Sequence, residues 1–389
     1  MLFFAVTFPF LAFSALRLVN WARKYLEARR LGLPIVLIPV SFEDGWWLPL
    51  RPLFAWVERL PYGLGSWYVY TEMGWPTVDG RETSARLGEN FILCSPTRNQ
   101  IVTCYSPAVH QVCRDNNKWT VPETQSQVFA FFGPNVTSTQ GVEWQRHRKI
   151  VASAFNERNM SEVWRVTSER AAELDLDTRT LGELRSSFDI LAMRVLATVA
   201  FGQDAELTGV PTGHRLSFMD SLRFIMENII LTVLFNSLKA PDWILPGTLR
   251  RLKLSVAEFR LYMQEMVFQE MKSPTGVKTL LSAMISANET EKVEKNYHPS
   301  YLTDSELYGN LFVFNLAGYE TTASSLSFAL PYLAAYADVQ DWLTEEVDRV
   351  YTRDGEYQQT YPKMVRCLAW MYEVMRLASP APLLVRTPT

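Results

Sequence analysis

The sequence predicts a large, mainly α-helical domain with a small β-sheet near its start. Three observations carry that prediction. From about Glu143 onward apolar residues recur at helical spacing, in 143–157, 162–173, 184–201, 216–236, 250–272 and 276–287. A further segment opens at Thr303 and runs to about Ala337, long enough to cross a domain. Strand-like patterning is confined to about 67–113. With 389 residues, 48% of them hydrophobic and 20% charged, the chain has material for a large core and is not of the disordered class.

The first sixteen residues, Met1 to Leu16, carry no charge, and Arg17, Arg23, Lys24, Arg29 and Arg30 follow. A bilayer span needs about 20 apolar residues. The run reaches that length if Leu18, Val19 and Trp21 continue it and Arg17 snorkels to the interface. A cleaved signal peptide would carry its positive charge before the apolar run. Here the charge follows, which places the bulk of the chain on the cytoplasmic side of an uncleaved anchor over 1–21. The sequons at Asn135, Asn159 and Asn288 should then carry no sugar. Residues 22–59 read as a basic helical piece to about Leu31 and a stiff extended hinge at 33–40, where prolines forbid a helix interior. The body is expected to occupy 60–389.

Within the body, 91–94 and 100–105 flank the turn residues 95–99 and read as a hairpin. Ser106-Pro107 should open a short helix, with Ser at the N-cap and Pro at the first helical position. Residues 114–135 are loop-like and end in Phe132-Gly133-Pro134-Asn135. Pro241, Pro246 and Pro274 punctuate the helices, and 288–302 is polar. Thr303-Asp304-Ser305-Glu306 is a capping box, hydroxyl and carboxylate satisfying reciprocal backbone N–H groups. Asp338 should cap a helix over 339–351, and Lys363 to Ala378 forms one more before Pro380 and Pro382.

Net charge is −3 with both signs mixed, so no basic block points to nucleic acid. Cys94, Cys104, Cys113 and Cys367 lack the spacing of a zinc site or a redox dithiol. Cys94 and Cys104 share a strand-like stretch where pairing is conceivable; buried reduced thiols are the simpler reading. His110, His147, His214 and His298 share no ligand spacing, so no metal site is expected.

Three constellations carry chemistry. In Ala317-Gly318-Tyr319-Glu320-Thr321-Thr322 an acid and hydroxyls sit inside an otherwise apolar helix, and Gly318 costs about 1 kcal/mol there relative to Ala. Threonine hydroxyls can bond back to earlier carbonyls and loosen the turn. The small pair admits something flat against the helix, and Glu320 with Thr321 can supply protons through water. A packing kink with a solvated Glu320 accounts for these residues equally well. Glu373 and Arg376, three apart and surrounded by Leu368, Trp370, Met371, Val374, Met375 and Leu377, suggest a buried architectural pair. Trp144 and Arg148, four apart, bring an indole N–H and a guanidinium to one helix face, suited to carboxylates; a basic solvated face is the plainer alternative.

In this order and spacing the segments resemble the cytochrome P450 family. Ala317-Gly318-Tyr319-Glu320-Thr321 matches its A/G-G-x-D/E-T motif, Glu373 to Arg376 its E-x-x-R, and Trp144 to Arg148 its W-x-x-x-R. Arg386 falls where the family often has a basic residue. The resemblance covers roughly 60–389, and the apolar N-terminus resembles the microsomal branch. It implies a mainly α, P450-like helical domain with a small N-terminal-side sheet, incomplete at the C-terminus. It implies haem as cofactor, an NADPH-dependent reductase as partner, and insertion of one oxygen atom from O2 into an apolar small molecule. Glu320 and Thr321 would relay protons. Ala317 and Gly318 would give the haem room. Trp144, Arg148 and Arg386 would hold its propionates, and Glu373 with Arg376 would lock the core. Residues 114–135 and the apolar Phe224, Ile225, Ile229, Ile230 and Leu231 would line the substrate pocket. The implied location is the endoplasmic reticulum membrane, single-pass, with the body on the cytoplasmic side.

One departure stands out. The family ligates iron through a Cys in an F-x-x-G-x-R-x-C-x-G loop, and thiolate donation favours O–O cleavage. No such loop occurs in 1–389, and Cys367 precedes the E-x-x-R segment without glycines around it. No metal ligand is therefore expected within 1–389, and the chain reads as a P450 ending before its haem ligand, inactive as it stands. The alternative is a haem-less, membrane-anchored relative acting as a binding or scaffold protein. An oxygen-rearranging enzyme of the same fold is disfavoured by the intact Glu320-Thr321 pair.

Overall fold

The computed structural model describes residues 2–389 apart from 73, 116–117, 127–128, 175–179, 203–208, 230, 233–240, 273–278, 294–299, 353–354 and 382, and apart from the side chains of 2–10, 124 and 181. The chain divides into two compact units, Met1–Pro122 with Pro382–Thr389, and Glu123–Ala381.

The first unit opens with α1 (Leu2–Arg29). Its sheet has the order β1 (Ile35–Leu37), β2 (Asn90–Cys94), β3 (Asn99–Thr103). The expected hairpin is present: β2 and β3 are antiparallel, with Phe91 opposite Val102 and Cys94 opposite Asn99. The proline-bounded stretch is extended as expected and pairs in parallel with β2. Alternation along β2 sends Phe91 and Leu93 against Ile38, Tyr70 and Trp75, and Ile92 and Cys94 against Ala28 of α1. The basic half of α1 thus covers one face of the sheet. Trp21 Nε1 donates to Cys94 O (3.0 Å) and Asn99 Nδ2 to Lys24 O (2.8 Å). Arg17 does not snorkel as expected. Its Nη2 donates to Asp44 Oδ2 and Pro39 O, both at 3.0 Å, because a buried carboxylate lies within reach.

The expected anchor falls partly on Met1 and on the side chains of 2–10, outside the described residues. Among the described residues no helix is long and apolar enough to cross a membrane. Helix α2 (Ser106–Arg114) begins one residue earlier than expected, with Tyr105 at the N-cap and no side-chain cap. The unit closes with β4 (Trp119–Thr120) antiparallel to β5 (Thr387–Pro388).

The second unit is helical: α3 (Gly141–Ala152), α4 (Glu157–Ala172), α5 (Leu181–Phe201), α6 (Phe218–Glu227), α7 (Gly247–Lys272), α8 (Leu280–Val293), α9 (Asp304–Ala335), α10 (Ala337–Val350) and α11 (Val365–Leu377). Each expected helical segment overlaps one of these, most ends differing by a few residues; the helix expected over 216–236 ends at Glu227, and 230 and 233–236 lie outside the described residues. The capping box at Thr303 and Glu306 is formed. Asp338 is not the cap expected: α10 starts at Ala337 after Tyr336, leaving Asp338 in the first turn, where its charge favours the helix dipole. Helices α5 and α9 lie along each other, as do α6 and α7. Phe132, Phe259 and Phe312 form an aromatic knot at the head of α9, with Phe132 centroids 5.3 and 4.8 Å from the other two. The end of the loop expected to line a substrate pocket is therefore core, with Phe132 and Asn135 both buried.

Candidate functional site

Helix α9 is apolar and enclosed over its first turns, where Leu307 and residues 309–315 are buried. That enclosure depends on Gly309: a Cβ there would lie 2.4 Å from Gly133 O and 2.5 Å from Pro134 O. Asn310 completes the dock, its Oδ1 accepting from Val136 N (2.9 Å). Gly133 and Gly309 were not singled out in the sequence; the Phe132-Gly133-Pro134-Asn135 punctuation was the available signal.

The character of α9 changes at Ala317, which is exposed. One turn on, the Thr321 hydroxyl donates to Ala317 O (2.6 Å), and that of Thr322 to Gly318 O (2.8 Å), the expected back-bonding. The Ala–Gly pair divides its work. Ala317 leaves an open patch, whereas Gly318 is where α5 comes close, since a Cβ would meet Leu196 Cδ1 at 3.1 Å. Glu320 is not free on a solvated face. Arg185 of α5 donates through Nη2 to Glu320 Oε1 (2.8 Å), through Nη1 to Ser324 Oγ (2.9 Å) and through Nε to Asp189 Oδ1 (3.0 Å). Burial pushes the Asp189 carboxyl up although Arg185 pulls it down. Arg185 thus gathers Glu320, through its Oε1, with Ser324 and Asp189 into one polar cluster between α5 and α9.

On α3, Arg148 is exposed and Trp144 half-buried one turn away. Among the described residues the Arg148 side chain has no hydrogen bond or ion pair. Two of the three residues between them, absent from the expected site, are the ones the fold uses. Arg146 forks onto both oxygens of Glu306 and donates to Tyr301 O (2.6 Å). His147 is fully buried; its Nδ1 accepts from Asn310 Nδ2 (2.9 Å), so its Nε2 carries the proton and faces Glu306 Oε1 (3.3 Å). Burial lowers the His147 pKa and keeps it neutral. Burial would raise Glu306, but Arg146 and the two Thr303 hydrogen bonds pull it down to about 2.

The Glu373–Arg376 pair forms, Arg376 Nε to Glu373 Oε2 at 2.8 Å and Nη2 to Oε1 at 2.6 Å. It is exposed, not buried as expected, with side chains 45% and 60% accessible. The apolar neighbours that suggested burial are themselves uncovered: Leu368, Met371 and Leu377 are exposed, and Val374 faces inward. An open cleft of about 480 Å³ runs between α10 and α11 past Trp342, Trp370 and Glu373. Arg386 belongs to the other unit, beside β5, with Nη1 on Val385 O (3.0 Å). Ile225 is fully buried, Phe224 lies 4.4 Å beneath the Arg251 guanidinium, and Ile230 is outside the described residues.

The residues present fit a haem group on two counts. Arg148 offers an exposed cation one helical turn from Trp144, suited to a carboxylate, and Ala317 keeps the open patch of α9 free of bulk. The cysteines are free: Cys94 buried, Cys367 half-buried, Cys104 and Cys113 exposed. Burial raises the pKa of Cys94, and burial with the Glu346 charge raises that of Cys367, both away from thiolate. No group of three or more His, Cys, Asp or Glu among the described residues is arranged to hold a metal.

The cytochrome P450 family profile matches residues 65–389. The chain belongs to the cytochrome P450 family. This P450 is 28% identical to cytochrome P450 monooxygenase ORF6 of Penicillium roqueforti, over 94% of the chain and 68% of that protein. It is 27% identical to the phomenoic acid biosynthesis cluster cytochrome P450 monooxygenase of Leptosphaeria maculans, over 97% of the chain and 70% of the relative. It is 30% identical to cytochrome P450 monooxygenase 124 of Postia placenta, over 74% of the chain and 57% of that protein. Family membership carries with it haem, a redox-partner reductase and a small-molecule substrate. The mainly α fold with its small sheets is the one the sequence predicted.

Proposed function

We propose that the chain provides the substrate-side and propionate-side parts of a haem-thiolate monooxygenase acting on an apolar small molecule, with electrons from an NADPH-dependent reductase. Haem, when bound, supplies the oxygen-activating chemistry. Thr321 carries this reading: its hydroxyl proton is committed to Ala317 O, which leaves its oxygen lone pairs to accept from a donor at the open patch. Glu320, once protonated from solvent, can donate toward Thr321 Oγ1, and the relay is completed only when the Thr321 hydroxyl turns its own proton from Ala317 O to an acceptor at the open patch. Trp144, Arg148 and Arg386 orient carboxylates by charge-assisted hydrogen bonds. Glu373 and Arg376 hold each other on α11. Residues 1–21 anchor the protein in the endoplasmic reticulum membrane with the body on the cytoplasmic side, as the charge following the apolar run supports.

Residues 1–389 by themselves do not form the iron–thiolate bond in this reading. The two cysteines whose pKa is shifted move away from the thiolate, which also favours a second reading, a haem-less membrane-anchored binding or scaffold protein. The test is to supply haem, reduce the protein and add carbon monoxide. A Soret band at the thiolate-ligated position overturns the statement about 1–389. Haem binding that Arg148→Ala weakens, without that band, supports it, and no haem binding at all favours the second reading.

A further inference from the structure

His214 lies in the turn before α6, with its side chain 3% accessible and a carboxylate at each ring nitrogen. Nδ1 is 2.9 Å from Glu258 Oε2, and Nε2 is 3.0 Å from Glu265 Oε2. We propose that His214 is held there as the imidazolium and is a proton-dependent latch: charged, it fastens the turn before α6 to α7, and on losing a proton it lets go.

An ionised carboxylate only accepts hydrogen bonds, and a neutral imidazole has a single N–H. A neutral His214 would donate to one glutamate and hold a lone pair against the other. The doubly protonated ring serves both. Glu258 is itself buried, and among the described residues its hydrogen-bond partner is His214. A buried carboxylate left without a cation is strongly unfavourable. The His214 ring also stacks on Tyr262, with centroids 3.7 Å apart and planes 8° apart, which sets positive charge over an aromatic face. Neighbouring charges are engaged elsewhere. On α7, Lys253 pairs with Asp242, Arg251 lies over Phe224 and Arg260 over Phe132. The Arg215 charge acts on Asp242 and that of Arg223 on Asp189, while Asp220 accepts from Ser217.

The latch governs the entry to α6. Gly213, at φ 100° in the left-handed region that favours glycine, turns the chain toward α7, and His214 N donates to Pro211 O (3.1 Å). Two residues on, Leu216 O accepts from the Tyr262 hydroxyl (2.9 Å). Burial and the Glu258 and Glu265 charges push that hydroxyl up to about 12, so it stays a donor. Ser217 caps α6, and Phe218 meets the Tyr262 ring edge-on at 5.6 Å. The seat of α6 on α7 thus hangs on a charge of the kind that histidine gains and loses near neutral pH. The latch is closed on the acid side and opens as pH rises. Helix α6 carries Phe224 and Ile225, expected at the substrate pocket, but the latch stands without that reading.

Hydrogen exchange of the full chain tests it, read as protection relative to the intrinsic rate at each pH in peptides covering 212–227. Protection there should fall at least about tenfold between about pH 6 and about pH 9, as loss of a charge-assisted hydrogen bond implies. In Glu265→Gln the amide donates to the bare nitrogen of the neutral ring, so protection should persist and the fall should shrink to under about twofold. His214→Phe keeps a ring on Tyr262 without the charge, and protection should be low at both pH values. Level protection in the parent, a Glu265→Gln variant that falls as the parent does, or a loss shared equally by the α9 peptides refutes the latch. If His214→Phe fails to fold, the Glu265→Gln comparison decides alone.

Discussion

Arg146→Leu tests the central energetic claim, that a buried ion pair between α3 and α9 fixes the head of the long helix. Against the desolvation that would raise it, Arg146 and Thr303 together hold Glu306 near 2 where 4.5 is ordinary, and at about 1.4 kcal/mol per pH unit that corresponds to about 3.5 kcal/mol for the whole set of contacts, of which Arg146 supplies the largest part. The figure agrees with the roughly 3–5 kcal/mol lost when one partner of a buried pair is removed. Because the chain has two units, one global unfolding energy is a poor readout. Hydrogen exchange of the peptides covering 141–152 and 301–316 reads the contact locally, and about 3 kcal/mol should accelerate it about a hundredfold. Arg146→Leu combined with Glu306→Gln removes both charges but keeps an acceptor for Thr303 N and a partner for His147, so exchange should return to within about fivefold of the parent.

The pH dependence has a definite sign. Both groups have depressed folded-state values, so the Glu306 contribution is present above about 4.5 and lost as pH falls toward 2, and that of His147 is present above about 6.5 and lost below it. Protection that is flat from pH 7 to 3, an Arg146→Leu effect under about tenfold, or a double variant as labile as the single would each refute the reasoning.

The two glycines of α9 should respond unequally to alanine. Gly309→Ala drives a Cβ into two backbone oxygens and should destabilise by roughly 1–3 kcal/mol, whereas Gly318→Ala meets a movable Leu196 and gains helix propensity, ending within about 1 kcal/mol of the parent by chemical denaturation. Trp144→Ala and Arg148→Ala should each weaken haem binding about tenfold in a spectral titration; Arg148→Ala should leave stability unchanged, since Arg148 is exposed and unpartnered among the described residues. Asn135, Asn159 and Asn288 are 0%, 3% and 4% accessible, each amide donating to a backbone carbonyl, so glycosidase treatment of the expressed protein should produce no mobility shift.

What the sequence made legible was local. The capping box at Thr303 and Glu306 spans three residues, the 90–103 hairpin spans one turn, and Thr321 finds Ala317 O one turn back. Each is settled by backbone periodicity and a side chain's own reach, so composition and spacing suffice. The motif order likewise pointed to the family without any knowledge of contacts.

Other assignments needed distant partners. Glu306 looked like a cap and is also the mate of Arg146, 160 residues earlier; Glu320 looked like a free acid and is held by Arg185, 135 residues earlier. Arg17 looked free to reach an interface and is caught by Asp44. The apolar neighbours of Glu373 and Arg376 implied burial, yet a helix exposes whichever face its neighbours leave uncovered, and here they cover Val374. Periodicity says which residues share a face. Which face is buried, and which charge meets which, depends on elements far apart in the chain, and that the tertiary structure alone decided.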